Sequence, residues 1–166
     1  MGSILARLTL ILFLVAGIGL NFSAQVARAS GLLDGRVFDG MIGPAENPDL
    51  QDSLHFDGGF FWSDICTRCG FLPGPYLAQS TAEGISFSGT LESESRGQFQ
   101  YEGLVRDDGK IEVLIKWEKK RWYWTSRREI AFVGSLNGGS EIASLSEIRA
   151  SMDANDPNAN PLCARF

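Results

Sequence analysis

The sequence predicts a mainly β protein, a single antiparallel meander closing into a barrel of about eight strands, with one C-terminal helix. Three observations carry this expectation. Short runs of alternating apolar and polar residues recur from about residue 35 to residue 136, divided by turn residues. Gly89, Gly103 and Gly134 fall on the apolar faces of those runs, as a strongly bent sheet requires where a close approach leaves no room for a side chain. After Asn137-Gly138-Gly139 the alternation gives way to helical spacing. A meander this long has two unpaired edges unless it closes on itself, which favours a barrel over an open sandwich.

Taken in order, "GRVFDGMIG" is the first strand. "DSLHF" and "FFWSD" form a hairpin around Asp57-Gly58-Gly59, residues that accept the positive φ of a tight turn. "YLAQST" and "ISFSGTL" form a second hairpin across Ala82-Glu83-Gly84, with Ile85, Phe87, Gly89 and Leu91 on one face. "GQFQYEGLV" aligns Phe99, Tyr101, Gly103 and Val105, and "KIEVLIKW" aligns Ile111, Val113, Ile115 and Trp117. "WYWTS" then leads into "REIAFVGSL", where Ile130, Phe132, Gly134 and Leu136 share a face. In "SEIASLSEIRASM", Ile142, Leu145, Ile148 and Met152 make an apolar helical face able to pack on the sheet, and Ser144 with Glu147 fits a capping box.

The N-terminus is of another kind. Arg7 precedes an apolar run from Leu8 to Leu20, and Ala27-Arg28-Ala29 places small residues where a signal peptidase reads. The expected organisation is a signal peptide over 1–29, a barrel over 30–137, an amphipathic helix over 138–153 and a flexible tail over 154–166. The protein is therefore expected in the periplasm or secreted, with no stable membrane span after cleavage. Loss of Arg7 and Arg28 takes the formal charge from −5 to −7, a poor balance for binding nucleic acid.

The run "LHFDGGFFWSDICTRCGF…PYLAQ…ISFSGTL…GQFQYEGLV…KIEVLIKW", with the leader before it and the helix after it, resembles the lipocalin-like (calycin) architecture. It also looks like a group of uncharacterised small exported bacterial proteins. The likeness spans roughly residues 34 to 136. It implies a barrel with an apolar cavity and names no ligand.

Signatures of catalysis are sparse, and the expectation is a protein that is not an enzyme and carries no cofactor. The one histidine, His55, lies on a strand between Leu54 and Phe56, so alternation sends it to the opposite face from theirs. No Gly-x-Ser-x-Gly turn presents a nucleophile to it. The most distinctive surface feature is "KWEKKRWYWTSRRE", in which aromatics interleave with Lys116, Lys119, Lys120, Arg121, Arg127 and Arg128. Such a mixture suits stacking and clamping of nucleic acid, or binding of an anionic sugar or a lipid headgroup. The plainer reading has Trp117, Trp122 and Trp124 lining the barrel while the charges cap the hairpin tip. If a small, partly apolar or anionic ligand binds, the expected residues are Trp117, Arg121, Trp122, Trp124 and Arg127, with the adjoining barrel mouth.

Three cysteines remain. Cys66-Thr67-Arg68-Cys69 has the spacing of half a zinc knuckle, and Cys163 and His55 are the only further candidate ligands. A thiol–disulfide centre is the other active reading, but it calls for a helix start, whereas this pair follows a strand and precedes Gly70 and Pro73. An exported chain favours a structural disulfide, either within the pair or from Cys163 to Cys66 or Cys69. The link to Cys163 is preferred because it closes the longer loop and docks the helix.

Overall fold

The computed structural model describes residues 31–139 and 143–165. The expected leader and Ile142 lie outside these. The order is β1 (Arg36–Pro44), β2 (Leu50–Asp57), β3 (Phe60–Ser63), α1 (Asp64–Arg68), β4 (Gly74–Thr81), β5 (Gly84–Ser93), β6 (Gly97–Val105), β7 (Lys110–Lys120), β8 (Thr125–Leu136), α2 (Leu145–Asp153) and a 3-10 turn (Pro161–Arg165). Each strand pairs antiparallel with the next, and β1 returns to β8 with Phe38 opposite Leu136 and Pro44 opposite Ile130. The meander thus closes, which removes the two end strands that an open sheet would leave unpaired. This architecture is compatible with the lipocalin-like resemblance.

The inward residues are those the alternation assigns. Phe87 and Leu91 on β5, Phe99 and Tyr101 on β6, and Ile111, Val113 and Ile115 on β7 are all buried. Phe56 stands at the centre, with ring centroids 5.1 Å from Tyr76 and Phe87 and 5.9 Å from Phe38 and Phe61. Truncating an aromatic so placed to alanine costs about 3–5 kcal/mol. Two glycines make this packing fit. A Cβ at Gly89 would overlap the Phe61 ring, and one at Gly103 would overlap the Phe87 ring.

Connections of a meander alternate between its two ends. At the lower end, residues 31–35 fold over the opening and bury Leu33. The Leu33 N–H donates to Tyr76 Oη at 3.0 Å, and Tyr76 donates in turn to Asp34 Oδ1 at 2.7 Å. Asp34 also accepts from the Gly59 N–H in the β2–β3 turn, so three segments share one seal.

The upper end carries α1, the β1–β2 loop, the β5–β6 turn and the β7–β8 turn. The sequence context shows no helix at the cysteine pair, yet α1 forms there. Ser63 caps it by accepting from the Cys66 N–H, and the buried Asp52 carboxyl accepts from the Ile65 N–H at 3.0 Å. A five-residue helix is too short to persist by propensity alone, so these tertiary acceptors hold it.

Two further expectations change. The capping box on α2 forms with both of its hydrogen bonds, but no residue of the helix is buried. Its half-covered face, Leu145, Ile148 and Met152, leans beside α1, and Arg149 lies over the Phe60 ring at 5.4 Å, in place of packing across the sheet. The tail is fastened where a flexible segment was expected. Cys163 is bonded to Cys69, the Arg96 guanidinium donates to the carbonyls of Cys163 and Pro157, and the Asn155 amide donates to the Arg68 carbonyl.

Candidate functional site

The upper end is divided. On the side of β3 and β6, α1 and the residues after it plug the barrel, with Ile65, Cys66, Cys69 and Phe71 all buried. The Phe71 ring packs 4.6 Å from that of Phe99. On the side of β1, β2, β7 and β8 there is no such plug, and a cavity of about 470 Å³ opens there. Ile42, Gly43 and Pro44 from β1, Leu50 from β2, Phe99 from β6, Trp117 from β7 and Ile130 from β8 line it. A volume of that order suits a small ligand, and the lining is mostly hydrophobic, as such sites are.

Charge enters at the rim. Arg128 lies directly opposite Trp117 across the β7–β8 pair, and its guanidinium sits 5.6 Å from the indole centroid. A cation held over an aromatic face in this way is positioned beside the cavity. Trp117 is itself fixed, because its Nε1–H donates to the Arg96 carbonyl at 2.9 Å. Glu129, the next residue, supplies the one acidic group among the described residues of the lining.

Of the five residues expected at a ligand site, the structure places Trp117 in the cavity wall and the other four elsewhere. The reading in which Trp122 and Trp124 line the barrel is overturned, for both are exposed at the hairpin tip. Trp122, Tyr123 and Trp124 accordingly belong to a turn, closed by the Arg121 N–H donating to the Trp124 carbonyl, and β8 begins only at Thr125. Arg121 sits at that turn, and Arg127 points away from the cavity and pairs with Glu118 at 2.8 Å. Sequence reasoning missed Arg128, Ile42, Leu50 and Phe99 as lining. The signal for Arg128 was present, since it shares parity with Ile130, Phe132 and Gly134 on β8.

The cysteine pair resolves differently. Cys69 is joined to Cys163 and Cys66 is free but buried. Burial, together with the nearby Asp52 carboxyl, pushes the Cys66 thiol up to about 12, and its Sγ lies 3.3 Å from Tyr101 Oη. A thiol in that state carries almost no thiolate at neutral pH, the opposite of a redox nucleophile. The disulfide also occupies two of the four candidate zinc ligands. The remaining nitrogen ligand, His55, lies on the outer face, stacked on Trp62 at 5.3 Å. Its Nε2 is 3.0 Å from Asp64 Oδ1, close enough for an ion pair but not aligned for a hydrogen bond. Among the described residues no group of three or more His, Cys, Asp or Glu side chains converges as a metal site.

Asp52 lies in a buried hydrogen-bonded cluster. Ser63 Oγ donates to Asp52 Oδ2 at 2.6 Å, and burial raises the carboxyl above its ordinary range. Both groups are buried. Among the described residues no helix is long and apolar enough to cross a membrane. Comparison with protein-family models, with curated proteins and with solved structures finds no match, so the site must be read from its own geometry.

Proposed function

We propose that this is an exported, non-catalytic barrel protein that holds a small, partly apolar ligand bearing an anionic group in the cavity at its upper mouth. The observation that carries this reading is an apolar hollow of about 470 Å³ with Arg128 at its rim. Apolar walls reward burial of a hydrocarbon portion at about 25 cal/mol per Å². The guanidinium, on an exposed side chain held over the Trp117 ring, gives a carboxylate, sulfonate or phosphate a charged hydrogen-bonding partner at the rim. The disulfide supports the exported reading, because such bonds persist in oxidising compartments.

The test is titration with a dansyl-labelled undecanoic acid, followed by probe emission and Trp117 quenching. Saturable uptake is expected, with Ile130→Trp abolishing it by filling the cavity. Arg128→Gln should weaken the carboxylate probe about tenfold while leaving the matching alcohol unchanged, in keeping with the worth of a hydrogen bond to a charged group. Absence of saturable binding, or binding indifferent to Ile130→Trp, would overturn the reading.

A further inference from the structure

The β7–β8 ribbon runs beyond the barrel. β6 accompanies β7 only as far as Glu118, and β1 accompanies β8 only as far as Ile130, yet β7 and β8 continue pairing to Lys120 opposite Thr125. The last part of the hairpin therefore projects past the mouth as a two-stranded finger. At its tip Trp122, Tyr123 and Trp124 are 94%, 62% and 55% exposed. Nothing in the hairpin's own packing calls for three large aromatics there, since a tight turn is served by small polar residues.

The rings form one wedge. Trp122 meets Tyr123 edge-on at 4.7 Å, and Tyr123 lies nearly parallel to Trp124 at 5.4 Å. Around the wedge, residues 116–129 hold six basic side chains against Glu118 and Glu129, in a chain whose formal charge is −5. Lys119 and Arg121, beside the tip, have no acidic partner among the described residues.

We infer that this finger docks the protein on an anionic lipid bilayer, with the aromatic wedge seated at the headgroup level and the basic residues against the lipid phosphates. Indole and phenol rings are the side chains that favour the membrane–water boundary, having an apolar body and a polar edge. Lys and Arg held near a negative surface add attraction that decays within a Debye length. The rest of the chain is acidic and is repelled from such a surface, so charge alone orients the molecule tip-first. A single-stranded nucleic acid would need aromatic faces spaced along a basic groove, whereas here the three rings are clustered at one hairpin tip. Docking by the tip also brings the cavity mouth, at the same end, toward the bilayer. The inference extends the ligand reading but stands on different residues.

The test compares the full chain with tip variants of identical N-terminus, on vesicles of phosphatidylcholine with or without phosphatidylglycerol. Brominated acyl chains should quench Trp122 and Trp124 emission, leaving the buried Trp62 and Trp117 as background. Lys119→Gln with Lys120→Gln and Arg121→Gln should lower partitioning to anionic vesicles by roughly 100-fold, about fivefold per charge. Trp122→Ala with Trp124→Ala should remove the quenching and most binding to anionic vesicles. Equal partitioning to both vesicle types, or binding unchanged by these variants, overturns the inference. So does tip-dependent binding to single-stranded DNA with none to vesicles. Uptake of the dansyl probe without vesicles separates the two proposals. If it persists while vesicle binding fails, only docking falls; if it is absent while vesicle binding holds, only the cavity reading falls.

Discussion

The two sides of the upper end are built from the same alternating strands but solve opposite problems. Beneath α1 every apolar group is covered, the free thiol is sealed and the polar atoms of Asp52, Ser63 and Cys66 satisfy one another. Across the barrel axis, Trp117 and Arg128 face an open hollow, and the ribbon beyond them exposes three aromatics. The comparison teaches that this fold concentrates its stability in one half of the mouth and leaves the other half loosely filled. Such a division is common where binding requires space that packing would otherwise remove. Arg96 stands at the seam, with its carbonyl fixing Trp117 and its guanidinium gripping the tail.

The largest expected effect falls on the plugged side. Cys69→Ser with Cys163→Ser opens a loop of 94 residues and should lower unfolding free energy by about 4–5 kcal/mol. A urea titration under non-reducing conditions reads that loss. If the two sides are independent, the dansyl probe binds the folded variant with nearly the affinity of the parent.

A pair of enlargements sharpens the contrast. Gly103→Leu must displace the Phe87 ring in a filled interior and should cost about 1–3 kcal/mol. Ile130→Trp grows into the hollow and should change stability by less than about 1 kcal/mol while eliminating probe uptake. Comparable destabilisation by both, measured as thermal midpoints, would mean that the cavity side is as tightly packed as the rest.

The smallest expected effect is a pH dependence under α1. Asp52 is more readily protonated folded than unfolded, because burial disfavours its charge. Its contribution is therefore fully present below the ordinary carboxylate range and is lost as pH rises through its raised value. Each unit between the two values is worth about 1.4 kcal/mol. The parent should lose stability relative to Asp52→Asn across that window, and parallel pH profiles for the two proteins would refute the assignment.

Much of this was legible from residue order. Alternation located all eight strands, the Ser144–Glu147 spacing located the α2 cap, and the leftover cysteine pointed to a link with Cys163. The failures have specific causes. Trp122 and Trp124 share the parity of the inward residues of β8, so alternation sends them inside. Beyond Ile130, however, the ribbon has outrun β1 and there is no inside to enter. α1 escaped notice because its acceptor, Asp52, comes from a different strand.

By itself the sequence determined the strand count, the inward faces, the close-approach glycines and the acidic balance broken by one basic, aromatic hairpin. These are local matters, set by period, side-chain volume and charge. Only the tertiary structure decided which cysteine meets Cys163, which half of the mouth is plugged, and how far the hairpin projects. Those outcomes depend on the relative lengths and stagger of strands distant in the chain, and no single segment encodes them.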